Sequence, residues 1–145
     1  MRASARALLL VLAVALVACG GDATARYRSG AENAANDFRE AAEPVLDQVR
    51  GAPSARSRIG ALEAFRATVN KAAGDFSRLD PPDKAKRDNA LLVGQFRGLS
   101  RDVVRYEAVL RSGDRGAQAR LSATVESDFV AIERTSARIS ASVGA

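Results

Sequence analysis

The sequence predicts an all-α fold, an antiparallel up-down bundle of four helices, and three observations carry that expectation. Apolar residues recur at three- and four-residue steps along four separate stretches. Turn-forming segments divide them: Gly51 to Ser54, Asp80 to Asp83, and Ser112 to Asp114. β-branched residues nowhere alternate with polar ones over a useful length, so no strand competes. Short turns between long helices make neighbours antiparallel.

The first helix is expected over Glu32 to Val49. Its apolar face is Ala31, Ala34, Ala35, Phe38, Ala41, Ala42, Val45 and Val49. Pro44 conflicts with it, because proline has no N–H and its ring crowds the carbonyl four residues back. A kink there, or a break just before it, is expected. A three-helix bundle with a loosely packed N-terminal helix is therefore the second architecture open to this sequence.

The second helix should begin at Ser54 or Arg56 and end near Leu79. Ile59, Leu62, Phe65, Val69, Ala72, Phe76 and Leu79 make a heptad-like seam suited to packing against a partner helix. Asp80-Pro81-Pro82-Asp83 then reads as a helix start. It offers an N-cap oxygen, a proline where no N–H is needed, and a carboxylate in the first turn.

The third helix should run to about Arg111 along Ala85, Asp88, Leu92, Phe96, Leu99, Val103, Tyr106 and Leu110. Asp88 interrupts that seam and is expected to face either solvent or a polar patch. The fourth helix should cover Arg115 to Ser142, with Leu121, Val125, Phe129, Ile132, Ser136, Ile139 and Val143 on one face.

The N-terminus follows a different logic. Arg2 and Arg6 precede an unbroken apolar run from Ala7 to Ala18. Twelve residues are too few for a spanning helix, which needs about 20, but suit the apolar region of an export signal. The run ends in Leu16-Val17-Ala18-Cys19, followed by Gly20 and Gly21. This resembles the lipobox of bacterial lipoproteins, with a hydrophobic residue three before the cysteine and small residues between. The resemblance covers residues 1–19 alone and implies transfer of a diacylglycerol to the Cys19 thiol with cleavage after Ala18. Residues 1–18 would then be a signal peptide, residues 19–30 a lipid-anchored tether, and residues 31–145 the helical domain. An ordinary secretory signal and a buried or membrane-lying helix are the other readings of this segment.

Composition bounds the rest. The chain has 145 residues, so removal of residues 1–18 leaves 127, enough for one domain with its own core. That removal also takes Arg2 and Arg6, leaving 20 basic against 17 acidic side chains. A surplus this small permits attraction to anionic headgroups but does not call for nucleic acid. There is no histidine, and the one cysteine cannot form an internal disulfide. Zinc, haem, iron–sulfur and di-iron sites thereby lose their common ligands, and neither a cofactor nor a metal is expected. No Gly-x-Ser-x-Gly elbow, Ser-x-x-Lys pair or glycine-rich phosphate loop occurs, so no catalytic residues are assigned.

Several features are candidates for contact outside the bundle. Arg97, Arg101 and Arg105 stack at four-residue intervals, with Arg111 and Arg115 beyond them. They suit a solvated face or a basic stripe against anionic lipid or an acidic partner. Glu40, Glu43 and Asp47 share a helix face, as a solvated acidic surface or a patch for a cation or ligand. Tyr27, between Arg26 and Arg28, is a candidate interfacial anchor in the tether. The five phenylalanines fall on apolar faces, as core or as the lining of a ligand cavity.

The functional expectation is a membrane-tethered, non-enzymatic binding or structural module of the bacterial cell envelope. It would sit on the extracytoplasmic face of the cell membrane, held by acylated Cys19 and free to meet an envelope protein. The alternatives are a small-molecule sensor or carrier with an interhelical pocket, and an enzyme built on carboxylates.

Overall fold

Four helices account for nearly all of the described residues. The computed structural model describes residues 22–144. Helix α1 spans Asp22–Gly51, α2 Ala55–Ser77, α3 Asp83–Ser112 and α4 Arg115–Gly144. No strand occurs among the described residues. The fold is an all-α four-helix bundle, in which α1 packs on α2, α2 on α3 and α3 on α4. At 1.5 Å per residue, each 30-residue helix is about 45 Å long. Among the described residues, no helix is long and apolar enough to cross a membrane.

The turn chemistry explains where three of these helices begin or end. Ser54 caps α2: its Oγ accepts from the Ser57 N–H at 3.1 Å, while Ser57 Oγ accepts from the Ser54 N–H at 3.2 Å. Two otherwise orphan donors are satisfied reciprocally. Gly113 closes α3 in the left-handed region at φ 75°, and its N–H reaches the Val109 carbonyl at 3.1 Å. Asp114 Oδ1 accepts from the Ala117 N–H at 2.9 Å and opens α4. The start of α3 lies later than the sequence reading placed it. The N-cap position is Pro82, without a side-chain cap, and Asp83 is the first helical residue.

Helix α1 departs furthest from expectation. Residues 22–30, read as part of a tether, are the first turns of α1, and the helical unit begins at Asp22 rather than at residue 31. Gly30 is not a breaker, since a Cβ there would lie 2.7 Å from Leu79 Cδ2. Its missing side chain makes room for α2's end against α1. Pro44 also lies inside α1 without a break. Its ring is on the exposed side, so water can serve the Glu40 carbonyl that loses its intrahelical donor. Helix α1 is packed on the bundle, not loosely appended to it.

The core is thickest between α2 and α3. Phe65, Val69, Leu92, Leu99 and Val103 are at most 1% exposed. Phe96 stacks on Phe76 at 5.8 Å between ring centres and receives Phe38 edge-on at 5.0 Å. Phe38 thus reaches from α1 to α3 across the diagonal of the bundle. Phe65 and Phe129 make the other diagonal contact at 5.8 Å. Most expected core positions hold, but Ala41 is exposed, and Asn89, Glu107 and Thr135 are buried polar residues outside the expected apolar seams.

Candidate interaction faces

At the end of the bundle where α1 begins, a buried polar group ties α1 to α3. The Tyr27 hydroxyl donates to Asn89 Oδ1 at 3.0 Å, and Asn89 Nδ2 donates to the Phe76 carbonyl at 3.1 Å. Tyr27 is 2% exposed, and burial, with the Asp88 carboxylate nearby, pushes its phenol up to about 12. The expectation that Tyr27 anchors in headgroups is corrected here. Its ring fills the core because the segment around it is helical, with Tyr27 one turn before Ala31.

Asp88 faces a polar patch. Arg138 approaches it with Nε at 3.2 Å and Nη2 at 3.1 Å, and the same Nη2 lies 3.1 Å from Thr135 Oγ1. This pair clips α4 to α3. Further along α3, the Glu107 side chain is only 4% exposed, with Oε2 at 3.7 Å from Arg111 and 4.0 Å from Arg66. It binds the α2–α3 interface electrostatically. Asp128 on α4 sits against Asp102 on α3, and burial, followed by the charge of Asp102 and a hydrogen bond with it, raises the Asp128 carboxyl above its ordinary range.

Contact between α1 and α4 is slight. Arg28 donates to the Val143 carbonyl there. Beside that contact lies a cleft of about 20 Å3, between Ala31 and Ala35 of α1 and Ser136, Ile139 and Ser140 of α4. It has room for about one water molecule. Ligand sites for small molecules usually enclose several hundred Å3 (~300–1,000).

The charged residues singled out from the sequence lie on outer surfaces. Arg97, Arg101 and Arg105 are all exposed on one face of α3. Arg105 pairs with Asp102 at 2.8 Å, whereas Arg97 and Arg101 have no ion pair among the described residues. Glu40, Glu43 and Asp47 are likewise exposed along α1, and Asp47 pairs with Arg50. Among the described residues no group of acidic or other ligating side chains is arranged to hold a metal ion. Arg111 is drawn to Glu107 and to Glu63 of α2, at 3.4 Å from the latter, and Arg115 is exposed at the start of α4. Cys19, with the rest of the expected signal and lipobox, lies outside the described residues.

The buried polar residues were missed by the sequence reading, though a signal for some existed. Tyr27, Ala31, Ala34 and Phe38 step by four, three and four, the spacing of one helix face. Ala85, Asn89, Leu92 and Phe96 do the same on α3. Comparison with protein-family models, curated proteins and solved structures finds no match for this chain.

Proposed function

We propose that this protein is a lipid-anchored, non-enzymatic binding or structural module of the bacterial cell envelope, held at the extracytoplasmic face of the membrane. The observation that carries the reading is the placement of the lipobox-like Leu16-Val17-Ala18-Cys19 immediately ahead of the bundle. Only Gly20 and Gly21 separate Cys19 from the first residue of α1. Anchoring at Cys19 would hold that end of the bundle within about 11 Å of the lipid, the reach of three extended residues. Two or more acyl chains suffice for stable attachment.

The test is mass spectrometry of the N-terminal peptide, with membrane fractionation of wild type beside Cys19→Ala. An acylated peptide beginning at Cys19, with wild type in the membrane and the variant released or unprocessed, is the expected result. An unmodified Cys19 and identical fractionation of both chains would sink the anchor.

A further inference from the structure

Two rows of like charge lie on opposite sides of this bundle. Helices α1 and α3 occupy one diagonal, meeting across the core through Phe38 and Phe96. Their outer faces therefore point in opposite directions. The outer face of α3 carries Arg97, Arg101 and Arg105, and that of α1 carries Glu40, Glu43 and Asp47, with the exposed Arg39 and Arg50 along one edge of the acidic row. Like charges at three- and four-residue spacing repel and weaken the helix that bears them. Neither row is fully offset within its own bundle. Arg97, Arg101, Glu40 and Glu43 make no ion pair among the described residues. The α3 row also has a thin surface, because Gly94 lies in the same helix and a Cβ added there would meet nothing. A helix-interior glycine weakens a helix, and nothing inside this bundle requires one at that position. Beside the row, Leu91 and Val104 are 44% and 42% exposed.

The rows also agree in height. Helices α1 and α3 both start at the same end of the bundle, because α2 runs back between them. Counted from Asp22 at 1.5 Å per residue, Glu40, Glu43 and Asp47 stand about 27, 32 and 38 Å up α1. Counted from Asp83, Arg97, Arg101 and Arg105 stand about 21, 27 and 33 Å up α3. Two upright copies, side by side with the same end toward the membrane, would set acid against base within about one helical turn of 5.4 Å.

We propose that the acidic outer face of α1 in one copy docks on the basic outer face of α3 in the next, so that anchored copies line up in a row. The occupant of the arginine face is thus a second copy of this chain. The contact is heterologous, each copy offering a different face to each neighbour, and nothing in a pure translation closes it into a ring. The common height of the copies rests on the anchored reading, while the charge match does not. Individual exposed ion pairs are weak and screened by salt. Confinement to a membrane raises the effective concentration of one copy near another, which is what such a contact needs.

The test places a photoreactive amino acid at Val104 in the full chain, expressed in its native membranes. Covalent species at multiples of the chain mass are expected, with the crosslinked peptide drawn from α1 around Glu40 to Asp47. Reversal of Arg97, Arg101 and Arg105 to Glu should abolish them. A chain that also carries Glu40→Arg, Glu43→Arg and Asp47→Arg presents the same match with signs exchanged and should restore them. Circular dichroism of each variant establishes that it remains a helical bundle. Crosslinking to a different protein or to lipid, or failure of a folded doubly reversed chain to restore the homotypic product, would overturn the proposal. If Cys19 proves unmodified, the same crosslink on purified full chain at low and high salt separates the two ideas. A salt-sensitive homotypic product there supports docking without an anchor, and its absence overturns docking as well.

Discussion

The α2–α3 pair packs large apolar side chains and the α1–α4 seam mostly small ones, and they close the core to different degrees. Helices α2 and α3 bury large side chains along most of their length, from Leu62 to Phe76 and from Leu92 to Leu110. Helix α4 buries residues only in its second half, at Ile132, Thr135, Ile139 and Val143. In its first half Leu121, Val125 and Phe129 are only partly covered. Helix α1 touches α4 slightly, so no neighbour covers that side of α4. Stability in this bundle is therefore unevenly distributed. An intact helix of 30 residues does not imply an intact share of the core.

The comparison can be broken with two leucines. Leu99 is fully buried, so Leu99→Ala should cost about 3–5 kcal/mol through lost transfer energy and the cavity left behind. Leu121→Ala, in the half-covered part of α4, should cost less than about 1 kcal/mol. Urea denaturation of both variants measures the difference as a shift in midpoint at unchanged slope. Equal shifts would mean that the first half of α4 is as tightly held as the α2–α3 core.

A smaller effect tests what fixes the start of α1. Tyr27→Phe removes the hydroxyl that donates to Asn89 Oδ1 and leaves that buried oxygen unmatched. A loss of about 1–3 kcal/mol is expected. Amide exchange should quicken in the first turns of α1 more than in α2 or α3. Unchanged exchange there would show that apolar packing alone, including Leu79 against Gly30, holds the helix end.

That helix end also marks where the sequence stopped being legible. The stripes of α2 and α3 could be read directly because large apolar side chains occupy nearly every turn of them. Helix α1 hid its first turns because Ser29-Gly30 has the composition of a linker. The packing reason for Gly30 is visible only once Leu79 is placed beside it. Pro44 read as an interruption for a similar reason: its cost depends on whether the freed carbonyl meets water, which sequence does not state. Asn89 and Glu107 occupy core-facing positions, but a polar residue identifies itself as buried only when its partners, Tyr27 and Arg66 or Arg111, are known. The two charged rows were legible individually, since helical spacing alone defines them. Their placement on opposite sides was not, because it depends on α1 and α3 being diagonal.

The finest distinction lies within α3–α4 packing, where one clip stabilises and its neighbour opposes. Arg138 and Asp88 join the helices with opposite charges, at 3.1 Å. Asp128 and Asp102 bring like charges to the same interface, and the Asp128 carboxyl is raised by burial first and by Asp102 second. A raised carboxyl means that the folded chain holds its proton more tightly than the unfolded chain does. Stability from this group is then full below the unfolded value of 3.8 and is lost as pH climbs through the folded one. At neutral pH Asp128 therefore works against the fold. Asp128→Asn should raise the melting temperature slightly at pH 7, and the gain should shrink toward zero as the pH falls below the carboxylate range. Thermal melts of both chains across that range measure it. A loss at pH 7 would mean instead that the ionised carboxylate is well served by solvent at this interface. The α3–α4 contact would then hold without internal opposition.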